Sequence, residues 1–498
     1  MNVNPITRLD YPDPDVIRVE DTYYMVSTTM HFMPGCEILQ SFDLVHWEHV
    51  TYVYETLDHT DAQQLKSGQN IYGQGMWAAS LRYHEGRFYI CFVANDTRKT
   101  YLYTSEKIDG PWKKQLIEGF YHDGSLLFDE DGRNYIVYGN DEIWITELNE
   151  DLTAPKKDGL HRLLVSDHKN PELGYEGSHI QKINGYYYIF LVHSLRDRWM
   201  RTEACFYSDS LEGEFTGGDV LCDDRGYCGQ GVAQGGIVDT PDGKWYAMLF
   251  QDSGAVGRIP ILLPVTWKDH FPVFGQNGHV PEEIEVHSTR PGYIYQPLVG
   301  SDDFCNGLLP RWQFNHDPDP QYYHLDALQG TYTITTREVC TELTQAVNTL
   351  TQRMSYPSCA AEVTVDASAL KEGDVAGLCA FQGCYAAVGI TKHHGKYEVL
   401  MLDKKEDGIL DMTEGTVVES HQMDFRLEAD FCNMKDEARC YYRVNKGDWL
   451  PIGTVHKLYF KLDHFTGCRF GLFCYAAEET GGSACFRDFK YYDVDEIS

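Results

Sequence analysis

Basic residues are scarce in this chain. Its 498 residues carry 42 Lys and Arg against 75 Asp and Glu, a formal charge of −33. A surface of that sign repels nucleic acid and anionic membranes, so neither is expected as a partner. A neutral or cationic ligand fits better. No run of about 18 apolar residues occurs, so no membrane-spanning helix is expected. The opening MNVNPITRLDYPDPD lacks a basic region leading into an apolar core and does not read as a secretory signal. The 15 cysteines are widely spread and include no C-x-x-C pair. They give no zinc-site spacing. Without an export signal they read as reduced, mostly buried small hydrophobes, and the expected location is cytoplasmic.

What is plentiful is aromatic and turn-forming. The chain has 34 Tyr and 44 Gly, which suits an all-β protein of short strands and tight turns. Its length calls for two or three domains.

Four segments align without gaps: WAASLRYHEGRFYI from Trp77, DGSLLFDEDGRNYI from Asp123, EGSHIQKINGYYYI from Glu176 and QGGIVDTPDGKWYA from Gln234. Nine residues after each start stands a glycine (Gly86, Gly132, Gly185, Gly243), and three further on a tyrosine (Tyr89, Tyr135, Tyr188, Tyr246). Glu85, Asp131, Asn184 or Asp242 precedes the glycine, which reads as a hairpin turn. The stretch YPDPDVIRVEDTYYMV fits from Asp13 with one residue fewer in its turn. Successive starts lie 64, 46, 53 and 58 residues apart, each interval holding about four short strands. Units of that kind form β-propellers. Five repeats predict five blades over residues 1–300.

Taken alone, Pro-Asp-Pro-Asp around Asp13 is ordinary turn chemistry. The repeat changes that reading. Residues at one repeat position share one level around the propeller axis. Asp13, Trp77, Asp123, Glu176 and Gln234 therefore converge at one mouth of the channel if the first strand of each blade is innermost. Three carboxylates brought together raise one another's pKa and cost stability, which marks a functional site. Two chemistries suit them. One is a Ca²⁺ site, although no local D-x-D-x-D-G ligand run is present. The other is glycoside hydrolysis, where one acid protonates the leaving oxygen and a carboxylate activates water or attacks. Trp77 and Phe32 would then stack on the sugar.

Over residues 1–300 the sequence resembles glycoside hydrolase family 43, from NPITRLDYPDPDVIRVEDTYY to GRIPILLPVTWKDHFPVFG. That resemblance implies a five-bladed propeller with β-xylosidase, α-L-arabinofuranosidase or endo-arabinanase activity, acting with inversion. It implies Asp13 in YPDPDV as general base, Asp123 in YHDGSLLFDEDG as the acid that tunes and orients the proton donor, and Glu176 in GYEGSHIQ as general acid. It further implies that Arg258 in VGRIPILLPVTW reaches the −1 sugar, that Trp77 walls the pocket, and that His31 and Phe32 rim it. Many members carry His before the Gly-Gly of the fifth blade, where this chain has Gln234. An amide lacks imidazole's affinity for transition metals. No metal is therefore expected to take part in the chemistry, and a structural Ca²⁺ stays open.

From Ser301 the pattern turns to strand-like alternation and reads as a β-sandwich over residues 301–498. It resembles the concanavalin-like domain attached to family 43 exo-xylosidases. Gly373 to Gly377 is the stretch expected to close one side of the pocket, if any does. A carbohydrate-binding role is the rival for this domain. The combined expectation is an exo-acting β-1,4-xylosidase on short oligosaccharides, with α-L-arabinofuranosidase next and a sugar-binding propeller without catalysis as the non-enzyme alternative. A homo-oligomer is left open.

Overall fold

A computed structural model describes residues 3–413, 415–460 and 466–493. Five four-stranded antiparallel sheets occupy residues 15–54, 80–117, 125–166, 176–221 and 233–274. We call them blades I to V. Strand order within each follows the chain, and the first strand of every blade packs against the first strands of both neighbours. The ring closes between Asp15–Val19 of blade I and Ala233–Asp239 of blade V. Ahead of blade I, the Ile6 and Tyr11 amides donate to the Pro260 and Arg258 carbonyls, at 2.9 and 3.0 Å. This is the predicted five-bladed β-propeller.

The repeated turns explain the shared register. Glu85-Gly86 and Asn184-Gly185 both take positive φ (48° and 78°, 50° and 84°), as two-residue hairpins with the right strand twist require. Blades III and V close with longer loops, in which the Asp129 and Thr240 amides donate to the Arg133 and Lys244 carbonyls. On the axis, buried Asp15 accepts from the Leu81 amide and Arg82 Nη1 and meets His179 Nδ1 at 3.1 Å. Blades I, II and IV are thereby tied below the mouth.

The described residues from 301 to 493 supply eight strands of a nine-stranded sheet and all of a seven-stranded sheet, packed face to face around Trp312, Phe314, Leu378, Phe425 and Phe486. One strand of the larger sheet comes from the propeller: Phe32–Met33 pairs with Asn315 and Phe314. Among the described residues there is no α-helix, only short 3₁₀ turns.

The two domains meet over buried charge. Arg353 of the sandwich donates to Glu37 at 2.8 Å and to the Asp10 carbonyl at 2.8 Å, with both side chains nearly closed to solvent. Burial pushes the Glu37 carboxyl up, but Arg353 and His49 hold it down at about 2. Removing one partner of such a pair strands the other charge, typically at 3–5 kcal/mol. Arg353→Met is therefore expected to destabilise the protein by about 3 kcal/mol, read as a lowered denaturant midpoint. A loss under about 1 kcal/mol would mean that the pair is not part of the domain junction.

Candidate active site

The five repeat starts do meet. Asp13, Trp77, Asp123, Glu176 and Gln234 all line one cavity of about 750 Å³ at the end of the axis, together with Arg258. Local backbone turns these side chains inward. Asp13, Asp123 and Gln234 sit at φ 52°, 47° and 63°, and Gly177 beside Glu176 at 66°. Such conformations cost free energy in non-glycine residues and gather at functional sites. Bulges at residues 176–179 and 233–236 re-aim the first strands of blades IV and V.

Each acid has its own environment. Asp13 is buried, with Oδ1 2.8 Å from Arg258 Nη1 and Oδ2 accepting from the Thr28 hydroxyl at 2.7 Å. Both contacts fix the carboxylate in place. Asp123 is also buried and accepts the Gly177 amide at 2.9 Å. Burial and the nearby charges of Glu176 and Asp13 lift it to about 6, against the pull of His122. Glu176 accepts from Asn140 Nδ2 at 2.9 Å, and its Oε2 lies 3.4 Å from His122 Nε2. Burial pushes this carboxyl up, but His122, with Arg201 and Arg258 further off, holds it below its usual value.

Around Asp13 runs a chain of alternating charge. Arg201 Nε donates to Asp252 Oδ2 at 3.0 Å, and Asp252 Oδ1 lies 3.3 Å from Arg258 Nε. The Arg258 amide donates to Asp10 Oδ1 at 2.8 Å, and Asp10 Oδ2 accepts the Gly467 amide of the sandwich at 2.7 Å. The second domain thus braces the arginine that holds Asp13.

The sandwich also supplies one wall: Met434, Asp436, Lys457, Leu458, Tyr459 and Phe460. Asp436 docks against the 254–255 turn of blade V. A Cβ at Gly254 would lie 2.7 Å from its Oδ2, and that glycine's φ is +74°.

Among the described residues, the possible metal ligands that come together are His122, Asp123 and Glu176, within 4.8 Å. Protein N–H groups of Gly177 and Asn140 already point at the two carboxylates.

A model of the glycosyl hydrolases family 43 matches residues 3–272. The chain belongs to that family. It is a glycoside hydrolase, and residues 301–492 match the beta xylosidase C-terminal concanavalin A-like domain. Its family 43 relatives include a beta-xylosidase of Formosa agariphila, 27% identical across 99% of this chain and 89% of that protein. A non-reducing end alpha-L-arabinofuranosidase of Bacteroides ovatus is 24% identical across 82% and 79%. A solved bifunctional GH43-CE protein of Bacteroides eggerthii is 42% identical, with a TM-score of 0.92 over the whole of this chain. The chain spans 64% of that protein's length.

Two expectations for this family 43 site need correction. Phe32, with His31, does not rim the pocket. Pairing with the sandwich carries Phe32 into the domain junction, where it is 1% exposed and lies 3.5 Å beneath the Arg469 guanidinium carbon. His31 is buried against it, with ring centroids 4.3 Å apart. Nor does Gly373 to Gly377 reach the cavity. It leads into the Val375–Phe381 strand, where a Cβ at Gly377 would strike the Val388 carbonyl at 2.0 Å. Met434, Asp436 and residues 457–460 form the wall instead. Sequence reasoning also missed His122, Asn140, Trp199, Arg201 and Asp252. Only His122, next to Asp123, carried a positional signal.

Proposed function

We propose that this family 43 hydrolase releases xylose from the non-reducing end of β-1,4-xylo-oligosaccharides by single displacement with inversion. The observation that carries this reading is the convergence of Asp13, Asp123 and Glu176 in one pocket whose far side is walled by the sandwich. A walled pocket takes a chain end, not a chain middle. Asp13, held by Arg258 and Thr28, deprotonates water as it attacks the anomeric carbon. Glu176 gives a proton to the departing glycosidic oxygen. Asp123, fixed by the Gly177 amide beside Glu176, aligns the donor and, when ionised, opposes the pull of His122 that holds Glu176 below its usual value. Trp77, Gln234 and Arg258 line the place where the sugar would sit.

α-L-Arabinofuranosidase activity is the second reading, favoured by the Bacteroides ovatus relative's name. Initial rates on an aryl β-D-xylopyranoside and an aryl α-L-arabinofuranoside, measured side by side, separate the two. A faster xyloside supports the proposal; a faster arabinofuranoside replaces the substrate and keeps the residue roles. Hydrolysis of neither would point to an endo-acting or differently specific pocket, or to a sugar-binding protein.

The same assay tests the metal question. Asp13, Asp123 and Glu176 are already met by protein donors, so the rates are expected to withstand a chelator. A loss that Ca²⁺ restores would place a working cation in the channel after all.

A further inference from the structure

The cavity holds more than the sugar that is cleaved off. Its volume of about 750 Å³ is that of a pocket for a drug-sized ligand, more than one pentose ring fills. Trp199 lines it and is 42% exposed. Among the described residues it is the one exposed large apolar side chain that lines this cavity. Leaving an indole in water forgoes a large burial gain, so its position calls for a cause.

The fold holds Trp199 where it stands. It lies in the turn between Tyr186–Ser194 and Arg201–Ser208 of blade IV. The Leu195 amide donates to the Met200 carbonyl at 3.1 Å. The Ser194 hydroxyl accepts the Met200 amide at 2.8 Å and donates to the Arg198 carbonyl at 3.3 Å. Arg196 Nη2 donates to Asp167 Oδ1 at 3.2 Å, closing the turn from outside. On the inner side the Arg201 guanidinium carbon stands 5.1 Å from the indole centroid, and Asp252 fixes that guanidinium at 3.0 Å. The indole therefore rests on a cation that is itself tied down. Leu173, whose carbonyl accepts the Ser194 amide at 3.0 Å, lines the cavity as well.

The acids say which part of the substrate meets this turn. Glu176 opens the first strand of the same blade IV, whereas Asp13 precedes the first strand of blade I. In a single displacement the proton donor stands on the leaving group's side and the base on the opposite face of the sugar. We propose that Trp199 is the platform on which the leaving sugar stacks. The inference rests on Glu176 being the proton donor. A sugar ring carries a face of C–H groups that an indole can cover, while the hydroxyls on its edge stay in water. A platform open to solvent also lets that sugar depart once its bond is broken.

The test compares two alcohol leaving groups on one glycone: xylobiose, which brings a second ring, and methyl β-D-xylopyranoside, which does not. Trp199→Ala is expected to lose about tenfold or more kcat/KM on xylobiose beyond its loss on the methyl glycoside. Trp199→Phe keeps a ring and should recover most of that difference. Equal losses on both substrates would make Trp199 a support for Arg201 and overturn the proposal. If the arabinofuranoside is the faster glycone, an arabinobiose and methyl α-L-arabinofuranoside replace the pair, and the same comparison decides. Calorimetry on Glu176→Gln with xylobiose and xylose reads the contact without turnover, so it stands even if the assigned reaction fails. There, adding Trp199→Ala should weaken xylobiose about tenfold more than xylose. Equal weakening of the two would overturn the platform.

Discussion

Glu176→Gln is expected to lower the hydrolysis of xylo-oligosaccharides about a thousandfold, and that of an activated aryl glycoside far less. A sugar alkoxide is a poor leaving group and cannot depart without a proton. A nitrophenolate departs nearly unaided. Removing the acid should therefore cost about 4 kcal/mol of transition-state stabilisation on the natural bond, and a small part of that on the activated one. Glutamine can still bond Asn140 and His122, so the pocket should keep its shape. Comparing kcat/KM across leaving groups of graded acidity checks this. Equal losses throughout would remove Glu176 from the donor role and leave Asp123, which burial lifts to about 6, as the candidate.

Asp13→Asn should be as damaging, but without that dependence. Water must be deprotonated whatever leaves, so about a thousandfold loss is expected on every substrate. The amide is the right replacement because Asp13 is buried against Arg258. Alanine would take the Asp13 carboxylate away from that guanidinium and would mix a stability defect into the kinetics. Retained activity on the activated substrate would show that another group serves the water. Asp252 would then be examined first, since it lines the same cavity.

The charged frame around these acids links the site to the domain arrangement. Arg258 touches Asp13 with its side chain, while its backbone amide is held by Asp10, which also receives the Gly467 amide of the sandwich. The sandwich therefore meets the site in two ways. It walls the cavity through Met434, Asp436 and residues 457–460, and through Asp10 it fixes the backbone of the arginine facing Asp13.

The propeller was legible because its signal is local and repeated. A turn glycine, an inward tyrosine and an apolar strand recur in one register, so Asp13, Asp123 and Glu176 could be superposed before any contact was known. Their positive-φ or bulged settings agree with residues aimed at a common axis. What stayed hidden depends on pairing between distant segments. Phe32 looked like a rim aromatic, since nothing in TMHFMPG foretells that residues 32–33 pair with 314–315. Gly373 to Gly377 looked like a free loop, although its end lies inside a sheet where only a glycine fits beneath Val388. The wall residues near 435 and 458 carry no motif, because closing a pocket requires shape and not a particular residue type. His122 sat in plain view beside Asp123, but its meaning comes from Glu176 54 positions away.

The stereochemistry of the first product tests the central claim most directly. Whichever aryl glycoside is cleaved faster should be followed by ¹H NMR from the first minutes, before mutarotation mixes the anomers. Attack by a water held on Asp13 predicts inversion: α-xylose from the β-xyloside, or β-arabinose from the α-arabinofuranoside. Product that first appears with the configuration of the substrate would mean a covalent intermediate, and Asp13 could not be the base of a single displacement.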